Sequence, residues 1–346
     1  EELHKSDPKL PIYGSETASS ISSRGEYFFP VSENKAQGNG GFFQVSSYDL
    51  YASGNGYTAD TEFEAQEKNP SNFGEFVWTG FDYIGEPTPY NKDKTNLLNY
   101  ADPVERERMK QEMKKLGSNI PPRSSYFGIV DLCGFPKDRF YLYQAHWRPD
   151  FPMAHILPHW NWAERVGQVT PVFVYTSGDE AELFLNGKSL GRKKKAQYEY
   201  RLRWNDLIYK PGELKVIAYK NGKVWAEDIV KTTKAASALA LSPDRSIIAA
   251  DGADLSFITV KVTDKNGLMV PRTHNSVKFS ISGPGEIIAV DNGDPTSHES
   301  FQATERKVFN GLALVVVRSK KGETGTIELN ASSDGLKSTK ISISTK

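Results

Sequence analysis

The chain has 346 residues, 38% hydrophobic, 12% aromatic and 25% charged, which is too apolar for a disordered polymer and long enough for two or three domains. Lysine plus arginine and aspartate plus glutamate stand at 43 each, so nucleic acid is not the expected partner, and no apolar run approaches the ~18 residues of a membrane span. A single cysteine, Cys133, excludes an internal disulfide and a cysteine-based zinc site but leaves the redox compartment open. The chain opens at Glu1 without a Met, a basic n-region or an apolar h-region, the pattern expected of a section of a longer protein.

In chain order, LPIYGSE at 10 to 16 reads as a strand, and TADTEFEAQEKN at 58 to 69 as a helix that Thr58 or Asp60 could cap. GEFVWTGFDY at 74 to 83 reads as a second strand. After a Pro/Asn/Lys-rich excursion, PKDRFYLYQAHW at 136 to 147 reads as a helix with Pro136 in its first turn. Strand, helix, strand, helix argues for parallel strands with crossover helices. From about 152 the pattern changes to short strands and turns, with Asn186-Gly187 and Asn221-Gly222 as two-residue hairpin signals. A Lys/Thr/Ala/Ser linker at 231 to 238 precedes a second β set. There, alternation over 257 to 262 puts Phe257, Thr259 and Lys261 on one face and Ile258, Val260 and Val262 on the other. The expected domains are 1–150, a β-sandwich at 151–234, and an immunoglobulin-like β-sandwich at 235–346.

Chemistry is sought in the first 150 residues, because an ionisable group at the carboxyl end of a parallel strand lies on the face where α/β barrels build their sites. Glu16 ends the first strand and is followed by a Ser- and Gly-containing loop, although a strand-end Glu is more often a surface ion-pair partner. Trp78, Asp82 and Glu86 in VWTGFDYIGEPTPY place an indole beside carboxylates, the usual furniture of a glycan pocket. The plain alternative makes Trp78 core and Asp82 a buried capping group.

These segments, IYGSETASSISSRGEY at 12 to 27, GEFVWTGFDYIGEPTPY at 74 to 90 and SSYFGIVDLCGFPKDRFYLYQAHW at 124 to 147, resemble the end of the catalytic barrel of glycoside hydrolase family 2, β-galactosidase branch. LFLNGKSLGR at 183 to 192 and VDNGDPTSHESFQATERKVFNGLALVVV at 290 to 317 resemble the accessory β-domains that follow it. The resemblance implies a multidomain α/β plus all-β chain: a partial (β/α)8 TIM barrel, consisting of its last two strands and helices, followed by two immunoglobulin-like β-sandwiches. It implies a retaining glycosidase whose two carboxylates lie ~5–5.5 Å apart, with Glu16 as nucleophile. Trp78 would wall the sugar pocket, and Asp82 and Glu86 would help shape it. The family's acid/base glutamate follows an Asn on an earlier strand, so this chain is expected to lack it and to be inactive alone. Glu86, on an outgoing loop, is not expected to replace it. Ser19 stands where some β-galactosidases carry a His, so hydrogen bonding to the sugar can differ.

The implied partner is a β-galactoside glycan, with no cofactor and an open oligomeric state; a periplasmic or secreted location fits the resemblance. The Asn-x-Lys element of family glucuronidases is not found between Gly117 and Lys137, and Lys137 itself reads as a surface residue of the last helix. The rival readings are a carbohydrate-binding or structural β-sandwich module, with Trp204 and Trp225 as core or sugar platforms, and a family 2 hydrolase for another β-glycoside. His155 and His159 have the i, i+4 spacing of a zinc pair, but Pro158 lies between them. Arg192 to Lys195 can be read as a polyanion patch, or more simply as a charged edge that discourages strand pairing. Asp291, Asp294 and His298 lack the spacing of an EF-hand and read as a turn.

Overall fold

The computed structural model describes residues 2–33, 43–54, 56–90, 103–104, 107–108, 111 and 122–346. Residues 1–232 form one compact unit and 233–346 a second.

The first unit starts with a short helix α1 (Glu2–Ser6), then β1 (Ile12–Ala18), α2 (Ala59–Lys68), β2 (Asn72–Trp78) and α3 (Asp138–Trp147). β1 and β2 pair in parallel, as the strand-helix order requires. Both ends of the expected strands move: β1 continues two residues past Glu16, and β2 stops at Trp78, leaving 79 to 83 as loop. Thr58 occupies the N-cap of α2 but makes no side-chain capping bond, and Asp60 is drawn instead to Arg201. α3 is capped in position by Lys137, so Pro136 lies outside its first turn. A two-stranded sheet is what the described residues hold of the expected barrel.

A three-stranded sheet, β3 (Ala154–Leu157), β4 (Val172–Thr176) and β7 (Leu202–Trp204), in order β3-β4-β7, follows in the same unit. With it is a four-stranded antiparallel sheet of β5 (Glu180–Leu185), β6 (Lys188–Lys194), β8 (Glu213–Lys220) and β9 (Lys223–Lys231), in order β6-β5-β8-β9. Both predicted hairpins form. Asn186 and Gly187 take φ of 52° and 78°, and Asn221 and Gly222 take 51° and 76°, the left-handed pair that a two-residue turn needs to match strand twist. Trp160, Val172, Val174, Leu183, Leu214 and Val216 share one core with Phe63 of α2 and Leu142 of α3. Trp204 is buried, and Trp225 is partly buried with its Nε1 donating to Ser177 Oγ at 2.8 Å, so neither is a bare platform.

The second unit is a β-sandwich. One sheet orders β10 (Ala236–Pro243), β12 (Leu255–Asp264), β16 (Leu312–Ser319) and β14 (Gly285–Asp291). The other orders β11 (Ile247–Ile248), β18 (Thr339–Thr345), β17 (Gly325–Ser332), β13 (Ser276–Ser282) and β15 (Glu305–Lys307). Ile258, Val260 and Val262 are fully buried while Phe257 is 41% exposed, so the alternation places its faces as expected. Full burial of each such side chain contributes ~1.5–3 kcal/mol.

Candidate active site

β1 and β2 pair irregularly on both sides of Gly14, and the second irregularity falls at Glu16. Between Gly14↔Glu75 and Thr17↔Val77, β1 spends three steps against two on β2. The extra residue is a bulge spanning Ser15 and Glu16, a device that re-aims a side chain at the price of one ladder bond. It closes through Thr17, whose Oγ1 donates to Glu75 Oε2 at 2.6 Å. Gly14 makes room: a Cβ there would lie 2.3 Å from Thr17 Cγ2. Glu75 also accepts from Trp147 Nε1 at 3.1 Å. Burial raises its carboxyl above the ordinary range, against the hydrogen bonds to Thr17, Trp147 and Gln66 that pull it down.

Glu16 is exposed, and Trp78 ends the neighbouring strand, where Ala18 is its register partner. The two therefore share the carboxyl end of the parallel pair. Trp78 meets Tyr83 edge-on at 5.8 Å, and the Tyr83 hydroxyl donates to the exposed Glu86. Asp82 turns the other way. It is 4% exposed, its Oδ2 lies 2.6 Å from Lys137 Nζ, and its Oδ1 accepts from the Gly128 amide at 2.7 Å. Lys137 corrects the sequence reading: it is 1% exposed rather than a surface residue.

The reason is the loop that follows Glu16. Ser20, Ser22 and Ser23 run through the interior, where each backbone carbonyl needs a donor. Lys137 Nζ donates to Ser22 O and Tyr126 O at 2.8 and 3.2 Å, and Arg139 Nη1 to Ser20 O and Phe127 O at 2.6 and 2.8 Å. Arg139 also faces Asp49 at 2.8 Å, Arg24 pairs with Asp131 at 2.6 Å, and Arg201 bridges Asp60 to the Tyr48 carbonyl. Burial raises the carboxyls of Asp49, Asp82 and Asp131 and lowers Lys137, while the opposite charges beside them hold the ion pairs together. One signal for this was available: Lys at the N-cap and Arg at the second position oppose the helix dipole, so α3 carries both for another reason.

The residues weighed for metals are otherwise engaged. His155 Nε2 meets Asp138 Oδ1 at 2.7 Å and its ring stacks on Tyr141, Asp291 pairs with Arg306, and Asp294 accepts from the Thr296 amide. Among the described residues no group of three His, Cys, Asp or Glu side chains could hold a metal ion, and no helix is long and apolar enough to cross a membrane.

Against known families, residues 239–342 match the model for glycoside hydrolase family 2 C-terminal domain 5, and residues 167–226 match a domain of unknown function (DUF4982). A β-galactosidase, BoGH2A, of Bacteroides ovatus is 39% identical over 346 residues, covering 97% of this chain and 37% of its own length. The chain belongs to glycoside hydrolase family 2. A putative β-glucuronidase of Formosa agariphila is 31% identical over 260 residues, 74% of this chain and 22% of that protein. Among solved structures, a β-glycosidase from Bacteroides vulgatus superposes with a TM-score of 0.81 at 28% identity, over 99% of this chain and 43% of its own. This family 2 chain thus spans well under half the length of the relatives it matches.

Proposed function

We propose that this chain is the C-terminal section of a retaining β-galactosidase-like hydrolase, comprising the last two βα units of a catalytic barrel and two accessory sandwiches, the second immunoglobulin-like. The observation that carries the reading is the shared carboxyl end of β1 and β2, where Glu16 stands two residues before Ala18, the register partner of Trp78. In this reading Glu16 attacks the anomeric carbon, and an acid/base carboxylate from an earlier strand, ~5–5.5 Å away, protonates the leaving oxygen and then activates water. Trp78 covers one face of the sugar, and Tyr83 with Glu86 edges the same wall. Asp82 shapes that wall from behind, since both of its oxygens are engaged inside the protein. Two strands cannot close an eight-stranded barrel, so the 346 residues alone are expected to show no turnover.

Galactose is favoured by the 39% identity to the B. ovatus β-galactosidase, while the 31% identity to the F. agariphila protein supports a glucuronide as the second reading. Labelling the full-length enzyme with 2-fluoro-β-galactosyl and 2-fluoro-β-glucuronyl fluorides, then mapping the modified peptide, tests both. Label on Glu16 from the galactoside is the expected result. Label on any other carboxylate would overturn the nucleophile assignment, and faster labelling by the glucuronide would overturn the sugar.

A further inference from the structure

A cavity of about 680 Å³ lies in the first unit, away from Glu16, lined by His146 of α3, the β6–β7 loop with Lys195, Gln197, Tyr198 and Tyr200, and Lys220 of β8. Its cations and anions are satisfied unequally. The acids that line it have partners of their own: Asp179 Oδ2 accepts from the Asn221 amide at 2.7 Å, Glu199 Oε2 from the Ala196 amide at 2.8 Å, and Glu67 faces His146 at 3.9 Å. The ammonium of half-buried Lys195 instead donates to the Thr176 carbonyl, a neutral acceptor, while that of Lys220 donates to the Pro149 carbonyl and has only the fully exposed Asp150 carboxylate near it, at 3.9 Å. Tyr198 lines the cavity with the Lys68 ammonium 4.9 Å from its ring centroid, which adds a third cation to this side of the cavity.

We propose that this cavity is a second saccharide site, taking a sugar that carries a carboxylate or sulfate, with the anion between Lys195 and Lys220 and the ring against Tyr198. A ring platform beside polar groups suits a pyranose, and two ammonium groups that repel one another gain most from a shared anion. Burial first, and then the Lys220 charge, lower Lys195 to about 8 against the pull of Asp179 and Glu199. His146, the titratable group that α3 contributes, is itself lowered by burial, so it stays neutral above pH 6.5. An anion beside Lys195 raises it again, so binding at pH 8 takes up a proton.

The test is isothermal titration of the full-length enzyme, its active site first blocked by the 2-fluoro-galactosyl label, with glucuronic acid, galactose 6-sulfate, galactose and sodium sulfate, in buffers of different ionisation heat. The expected result is millimolar or tighter binding of the two acidic sugars, with proton uptake at pH 8 that fades by pH 6.5. Lys195→Gln should weaken binding by about tenfold or more, the loss of one charged hydrogen bond. Should that variant fail to fold, Lys220→Gln gives the same reading. No heat with either acidic sugar, equal binding of galactose, or equally tight binding of bare sulfate would each overturn the proposal.

Discussion

Replacing Lys137 by Met isolates the energetics of the buried charge beneath the candidate site. The ammonium offers three donors and has three acceptors, Asp82 Oδ2, Ser22 O and Tyr126 O. Methionine fills nearly the same volume and donates nothing. The Asp82 carboxylate is then left with the Gly128 amide alone, and removing one partner of a buried pair costs ~3–5 kcal/mol. Against a typical stability of ~5–15 kcal/mol that is a large fraction, and at ~2–3 kcal/mol/M in urea it lowers the midpoint by about 1–2.5 M. All six tryptophans, Trp78, Trp147, Trp160, Trp162, Trp204 and Trp225, lie in the first unit, so their fluorescence reads that unit's transition without interference from the second. The double variant Lys137→Met, Asp82→Asn should recover most of the loss, because the cost comes from one orphaned charge. Asp82, already raised by burial, should also take up a proton in the single variant, so the loss shrinks as pH falls. A loss under ~1 kcal/mol at pH 7, or no recovery in the double variant, would refute the reasoning.

Two other outcomes follow from the same sheet. Burial raises Glu75 above its unfolded value of 4.5, so the folded state binds more protons and stability declines as pH rises from that value through the folded one. Glu75→Gln should flatten this slope in urea melts between pH 4 and 7, and an unchanged slope would show that Glu75 is not the group responsible. Tyr13, Phe73 and Phe76 are 51%, 68% and 66% exposed and lie together, with Tyr13 at 5.6 and 5.8 Å from the two phenylalanine rings, although parallel sheets are ordinarily covered on both faces. Changing all three to Ser should lower ANS fluorescence and self-association in light scattering while moving the urea midpoint little. Unchanged scattering would mean that this face is not the sticky one.

What was legible in the sequence was local. Asn186-Gly187 and Asn221-Gly222 announce their hairpins because only a left-handed pair closes a two-residue turn, and the 257 to 262 alternation announces its buried face because strand period is two. Glu16 and Trp78 could be found from strand ends and from the family resemblance. A buried Asp82 was one of the two readings the sequence allowed, but its partner was not legible, because Lys137 is set by a loop that must satisfy its own buried carbonyls. The bulge at Ser15 and Glu16 was hidden for a similar reason: it depends on Thr17 meeting Glu75, a contact across 58 residues that no window of periodicity contains. Lys195 was counted as part of a charged edge, and β6 is indeed an edge strand, but the last lysine of the run turns off it toward a cavity.

The donors that fix the loop behind Glu16 come late in the chain, which has a bearing on synthesis. Ser22 waits for Lys137, 115 residues on, and Ser20 for Arg139, 119 residues on. At ~5–20 residues per second a ribosome needs roughly 6–24 s to deliver that arginine after the serine has emerged. Until then the Ser20 and Ser22 carbonyls lack the cations that satisfy them in the folded chain. Closing so long a loop makes this a slow, all-or-none event rather than a local one. A nascent chain halted before Lys137 would therefore hold both partners of the β1 bulge, Thr17 and Glu75, and neither cation of the loop that follows it.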